Sequence, residues 1–346
     1  MRRNTTHHLG EKSTTIRFTA PEEILADRNA AAGLVVADEN TRAYTNVPDH
    51  DLVVLPPGES SKSWLSIESI CRRALNRGMA RDGRFYGVGG GVVCDITAFA
   101  ASIYLRGVSL TLVPTTLLAM VDAAFGGKTG VDFQGYKNIL GTFYPASHVL
   151  IAPAFLTSLS EREYQSGLAE VIKSGMLGDP VLLELLEARR AGVLRREPEV
   201  MEEIVARSLA VKAAVVEQDL RESGIRAHLN LGHTFGHALE AVTQYAAYTH
   251  GEAVAWGMAC ALRAGRAVGI TNEAYAERSN RLLKAYGYPL TGVQADANAI
   301  IDAMQRDKKK AGGTVRFVLQ RNLAETVVMP LDETLVRQAI EPGLAT

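Results

Sequence analysis

FYGVGGGVVCDITAFAASIYLRG, residues 85–107, reads as a short β-strand that runs into Gly87, Gly89, Gly90 and Gly91 and passes at once into a helix. Glycines at such a junction let backbone N–H groups approach a phosphate, and the helix N-terminus adds positive potential. The segment is not the Rossmann fingerprint, because Val92 stands in the place of the third glycine and no acidic residue follows about twenty positions on. A tight turn without a ligand is the competing reading. Asp95, in the first helical turn, is a cap residue or a ligand contact.

The flanking sequence continues the α/β pattern. Upstream, TTIRF, GLVVADE and DLVVLP are β-like runs separated by polar linkers. PPGESSKSWLSIESICRRALNRG follows as a turn, a polar loop with Glu59 and Lys62, and an amphipathic helix. Downstream, SLTLVPTT is a buried strand ended by Pro114, with Thr115 and Thr116 placed to cap a helix carrying Asp122. FGGKTGVDFQGYKNILGTFYP, residues 125–145, reads as a long glycine-rich binding loop whose Lys128, Lys137 and Asn138 suit a phosphate.

Past Pro153 the pattern becomes helical almost throughout, with one short β pair, TVRFVLQ and AETVVMP, near the end. A boundary near residue 152 divides an α/β domain, 1–152, from a mainly helical one, 153–346. Residues 230–252 of the second, NLGHTFGHALEAVTQYAAYTHGE, hold three of the chain's eight histidines. His233 and His237 are four apart and share one helix face. A following helix beginning near Gly251 could bring His250 back beside them. Three convergent imidazoles are a candidate metal site, and Glu170, in the apolar helical segment GLAEVIKSG, is the best-placed carboxylate. Spacing alone leaves open which histidines bind, and helix-filling histidines are the plain alternative. Lys173, one turn beyond Glu170, Lys212 in an apolar stretch, and Arg226 add cations. With Lys128 and Asn138 they describe a pocket for a small, multiply anionic, oxygen-rich substrate.

Composition narrows the classes. The 346 residues are 47% hydrophobic and 22% charged with a formal net charge of −1, which gives no electrostatic case for nucleic acid or a membrane surface. Cys71, Cys94 and Cys260 are odd in number and widely spaced, so neither a disulfide framework nor a zinc knuckle is indicated. A reducing cytoplasmic setting is the expectation. His7 and His8 sit in a polar N-terminal segment that reads as disordered. RDKKK, residues 306–310, reads as a solvated helix end or a phosphate clamp.

Six segments together resemble one family. GGGVVCDITAFAASIYLRG, VPTTLLAMVDAAFGGKTGVDFQGYKN, GLAEVIKSG, KAAVVEQDLRESGIRAHLNLGHTFGHALE, HGEAVAWGM and DKK…RFVL are similar, in order and spacing, to the motifs of 3-dehydroquinate synthases, within the sugar phosphate cyclases. The match runs from about Asp38 to Val328. It implies an N-terminal NAD-binding α/β domain and a mainly α-helical C-terminal metal-binding domain, in a homodimer. The resemblance places a divalent ion, zinc or cobalt, on Glu170, His233 and His250, with His237 beside them for substrate contact or proton transfer. It assigns Asp38, Glu59, Lys62, Gly90, Gly91, Asp95, Thr115, Thr116, Asp122, Lys128 and Lys137 to the dinucleotide. Arg106, Lys128, Asn138, Asn230 and Lys308 or Lys309 would hold the phosphate end of the substrate. Lys173, Lys212 and Arg226 would hold its carboxylate and hydroxyl end. The implied reaction converts 3-deoxy-D-arabino-heptulosonate 7-phosphate to 3-dehydroquinate and phosphate. Cys94, Phe133 and Tyr136 depart from the residues usual in biosynthetic members. The rivals are an amino-dehydroquinate or valiolone-type cyclase, and a metal-dependent polyol dehydrogenase, which would need no phosphate clamp.

Overall fold

A computed structural model describes residues 4–24, 33–311 and 314–345, with side chains up to 306 in the helix that ends at 311. In chain order the elements are β1 (Asn4–Leu9), β2 (Lys12–Phe18), β3 (Gly33–Asp38), β4 (Leu52–Leu55), α1 (Trp64–Asn76), β5 (Arg84–Gly89), α2 (Gly91–Ile103), β6 (Ser109–Pro114), β7 (Lys128–Phe133), β8 (Tyr136–Phe143) and β9 (His148–Ile151). There follow α3 (Glu161–Gly178), α4 (Pro180–Ala188), α5 (Arg190–Leu194), α6 (Pro198–Val216), α7 (His233–Val242), α8 (His250–Ala267), α9 (Glu273–Ala285), α10 (Ala297–Ala311), β10 (Phe317–Asn322), β11 (Glu325–Met329) and α11 (Glu333–Ile340). The first part is thus α/β and the second mostly helical.

Contacts divide the chain into two compact units. One comprises residues 1–159, 196–209 and 213–221; the other comprises 160–195, 210–212 and 222–346. The first unit is built on a seven-stranded sheet of order β1-β2-β9-β6-β5-β3-β4, in which only the β1 edge is antiparallel. Its inner strands are apolar along their whole length, as a sheet covered on both faces requires: Leu34, Val35, Val36 and Ala37 are all at most 1% exposed. Chain order reverses at β3, which has β4 on one side and β5 on the other. Crevices outside the carboxyl ends of strands at such a switch point are where open α/β sheets bind ligands. Asp38 ends β3 there and Gly89 ends β5.

Two expectations are corrected in this unit. Residues 4–18 are ordered: β1 pairs residue for residue with β2, Gly10 takes the two-residue turn at φ +65°, and Leu9 is buried. Threonine-rich strands suit a pleated surface despite low hydrophobicity, which is why a polarity reading misses them. Residues 125–145 are also not an open loop. They form the hairpin β7–β8, turned at Gln134 and Gly135 with φ of +49° and +80°. Val131 packs inward, and the Thr142 hydroxyl donates to Ser102 Oγ at 2.8 Å.

In the second unit α3 is buried on nearly all faces from Ser166 to Met176. Three helices meet through glycine. A Cβ on Gly251 would lie 2.2 Å from the Ser166 carbonyl oxygen, and one on Gly257 would lie 2.0 Å from the Gly232 carbonyl oxygen. Backbone therefore touches backbone where α8 crosses α3 and α7. The Gly251 N–H donates to Ser166 Oγ at 3.0 Å, and a capping box between Thr249 and Glu252 fixes where α8 begins. No helix among the described residues is long and apolar enough to cross a membrane.

Candidate functional site

In the second unit the glycine contacts set two helix N-termini side by side. His233 is the first residue of α7 and His250 the first of α8. Both face Glu170, which projects from the middle of α3 and is 2% exposed. Glu170 Oε1 lies 3.5 Å from His250 Nε2 and 3.7 Å from His233 Nε2. These separations are long for a strong hydrogen bond. They match the edge of about 3.4 Å expected for a tetrahedron of N and O ligands around zinc. Among the described residues Oε1 makes no hydrogen bond, although it is buried. A buried carboxylate oxygen flanked by two imidazole nitrogens is an ion's coordination shell in outline, and the donor set fits a divalent cation.

Electrostatics in the cluster support this. Burial works against charge on Glu170, but the paired Lys173 ammonium and the two histidines hold its carboxyl well below the usual range. Burial and Lys173 hold His233 well below its ordinary value, so it is neutral and ready to ligate. The Leu231 carbonyl, 3.2 Å from His233 Nδ1, accepts the Nδ1 proton and leaves Nε2 free. His250, half-buried and facing Glu170 and Glu240, is pushed up to about 10, so it would have to give up a proton to ligate an ion. His237 is exposed, with its ring centroid 5.2 Å from that of His233 and 6.1 Å from that of His250. Lys212 and Arg226 are buried in the same unit. Asn230 Nδ2 donates to Glu222 Oε1 at 2.6 Å. Sequence reading missed Glu222 and Glu240. Glu240 carried a signal, since it lies seven residues past His233 and three past His237 on one helix face. The side chains of Lys308 and Lys309 lie outside the described residues.

In the first unit a second set gathers at the strand ends. Gly90 precedes α2 without a side-chain cap, and a Cβ there would come 3.1 Å from Thr116 Cγ2. Thr115 N–H donates to the Gly89 carbonyl, and Thr116 Oγ1 caps the Ala119 N–H. Asp122 sits on the π-helical turn Ala119–Ala123. Asp38 Oδ1 accepts from the Thr41 N–H at 2.9 Å, while Thr41 Oγ1 donates to the Val88 carbonyl at 2.8 Å. Lys62 Nζ and Asp95 Oδ2 pair at 2.6 Å, and Lys137 Nζ lies 3.3 Å from Glu59 Oε1. Burial disfavours the Lys62 charge, but Asp95 outweighs it and holds the ammonium above its ordinary range. Asp132, missed from sequence because its place depends on the hairpin register, accepts the Asn138 N–H at 2.8 Å. Lys128, at the start of β7, is exposed. Arg106 follows Leu105 with both in the left-handed region, φ +65° and +49°. Two such non-glycine residues in succession store backbone strain of the kind held at functional sites.

The Lys62–Asp95 pair allows a direct check. Lys62→Met strands the Asp95 carboxylate and is expected to cost roughly 3 kcal/mol, whereas the double replacement Lys62→Met with Asp95→Leu costs less than the two single changes added together. Urea unfolding of the four proteins measures the coupling, and strict additivity would show that the pair does not hold this site.

Comparison with known proteins gives a consistent result. Residues 52–166 match the family described as 3-dehydroquinate synthase N-terminal, and residues 167–310 match 3-dehydroquinate synthase C-terminal. The chain is 43% identical over 308 residues, 89% of its length and 84% of the relative's, to a 3-dehydroquinate synthase of Acidithiobacillus ferrooxidans. Among solved structures it resembles a 2-epi-5-epi-valiolone synthase of Streptomyces hygroscopicus subsp. jinggangensis with NAD+ and Zn2+ bound. That likeness has a TM-score of 0.86 and 28% identity, covering 96% of this chain and 97% of that one. A 2-deoxy-scyllo-inosose synthase complexed with carbaglucose-6-phosphate, NAD+ and Co2+ shares the fold at TM-score 0.88 and 21% identity, covering 99% of this chain and 100% of that one.

Proposed function

The chain belongs to the 3-dehydroquinate synthase family, and from that premise we propose that it converts 3-deoxy-D-arabino-heptulosonate 7-phosphate to 3-dehydroquinate and phosphate in the shikimate pathway. The reaction runs through transient oxidation, β-elimination of phosphate, reduction and aldol closure, with NAD and one divalent ion, zinc or cobalt. The observation that carries this reading is the buried Glu170 Oε1 set between His233 and His250.

When bound, the dinucleotide supplies a hydride acceptor that returns what it takes, and the ion supplies a Lewis acid for the hydroxyl being oxidised. The chain's own residues bind, orient and move protons around that chemistry. Glu170, His233 and His250 hold the ion, and Lys173 keeps Glu170 ionised. His237, beside the triad, moves the proton at the reacting hydroxyl. Lys173, Lys212 and Arg226 bind the carboxylate and hydroxyl end of the substrate. Arg106, Lys128, Asn138, Asn230 and Lys308 or Lys309 bind its phosphate. Asp38, Glu59, Lys62, Gly90, Gly91, Asp95, Thr115, Thr116, Asp122, Lys128 and Lys137 form the dinucleotide site at the carboxyl ends of the strands. The working enzyme is a cytoplasmic homodimer.

The valiolone synthase likeness favours one specific alternative, a cyclase acting on sedoheptulose 7-phosphate, which lacks the carboxylate. Steady-state phosphate release from the two sugar phosphates separates them. A site that binds the carboxylate with buried cations favours the carboxylate-bearing substrate in kcat/KM by on the order of 10³-fold or more. Equal rates, or preference for sedoheptulose 7-phosphate, would overturn the substrate assignment.

A further inference from the structure

Each ligand residue of the proposed metal centre has an outer partner on the atom that does not face the ion. Lys173 pairs with Glu170, and the Leu231 carbonyl takes the Nδ1 proton of His233. His250 differs, because its side chain is 29% exposed against 13% for His233. Its Nε2 faces Glu170, and on the other side Glu240 Oε2 lies 3.5 Å from Nδ1. Glu240 comes from the third turn of α7 and is only 8% exposed, and a carboxylate withdrawn from water needs a donor.

We propose that Glu240 is a positioning residue for His250, accepting the Nδ1 proton and so holding Nε2 towards Glu170. The proposal rests on the metal reading above. A neutral imidazole that donates from Nδ1 presents its lone pair at Nε2, so one contact sets both tautomer and ring direction. His237, Glu240 and His250 also lie close enough to form a metal-binding group of their own. That arrangement would turn Nδ1 from a donor into a ligand, and Glu240 cannot serve both uses at once. The 3.5 Å spacing on each side of the His250 ring gives it two carboxylate neighbours, of which only Glu170 also faces His233.

Zinc binding to the full-length protein, measured against a competing chelator, tests this. Glu240→Ala is expected to weaken affinity by about 10–100-fold, the usual loss when an outer partner of a metal-ligating histidine is removed. Glu240→Gln, whose amide oxygen still accepts the proton, stays within a few-fold of the parent. Nitrogen-15 spectra of the zinc-loaded parent show His250 protonated at Nδ1, and Glu240→Gln keeps that signal. The proposal is overturned by parental affinity in Glu240→Ala, or by two zinc ions per chain with the second lost in that variant. Glu170→Ala runs alongside: undiminished zinc binding there overturns the metal centre itself, which separates the two failures.

Discussion

Glu170→Ala is expected to lose the bound metal, to lose measurable turnover with it, and to unfold more easily even when no metal is present. The first two effects follow from geometry, since Glu170 Oε1 is the atom both imidazoles face. The third follows from Lys173, which is 4% exposed and has Glu170 as its ion-pair partner. Removing one member of a buried pair costs roughly 3–5 kcal/mol, because the remaining charge is left without compensation. Metal analysis of the purified variant and urea unfolding of the metal-free proteins check the two claims separately. A variant with one equivalent of metal would remove Glu170 from the centre, and unchanged metal-free stability would remove the Lys173 argument.

Gly257→Ala is the second large effect, and it reaches the metal without touching a ligand. The added Cβ falls 2.0 Å from the Gly232 carbonyl oxygen and 3.0 Å from the Gly236 nitrogen, and neither backbone atom can rotate away as a side chain would. Helices α7 and α8 must separate, carrying His233 and His250 with them. Overpacking of this kind costs about 1–3 kcal/mol and occasionally more, and metal affinity falls together with stability. Gly178→Ala is the control, because its Cβ would meet only Val211 at 3.5 Å, an ordinary contact. Gly178→Ala is expected to stay within about 1 kcal/mol of the parent. Thermal unfolding and zinc titration of both variants decide the matter; parental values for Gly257→Ala would show that glycine packing does not place the histidines.

Much of this was legible in the residues, for reasons that differ along the chain. The parallel strands announced themselves because a sheet covered on both faces needs uninterrupted apolar runs such as Leu34–Ala37. The start of α8, expected near Gly251, falls at His250, where Thr249 and Glu252 form a capping box. What failed were elements whose signal lies in pairing. Strand β1 offers only Leu9 as a clearly buried apolar residue, and its register comes from β2. The β7–β8 hairpin turns on Gln134 and Gly135, a weaker signature than Asn-Gly or Asp-Gly, among glycines that read as loop.

The candidate site divides in the same way. His233, His237 and His250 could be gathered by helix geometry, but spacing alone treated His233 and His237 alike. In the fold, His233 faces buried Glu170 and His237 faces solvent. That distinction comes from how α8 meets α3 and α7 through glycine contacts, which no periodicity encodes. Glu222, Glu240 and Asp132 went unseen because a carboxylate on a helix or hairpin looks like solvated surface until its neighbours are known.

The most direct measurement uses protein stripped of metal, then reloaded with one equivalent of zinc or cobalt and given NAD+ and 3-deoxy-D-arabino-heptulosonate 7-phosphate. Phosphate and 3-dehydroquinate are followed together. The reloaded enzyme should release phosphate and form 3-dehydroquinate in equal amounts with no net consumption of NAD+, and the stripped enzyme should do neither. Phosphate release without the carbocycle, net accumulation of NADH, or full activity in the stripped protein would contradict the assignment.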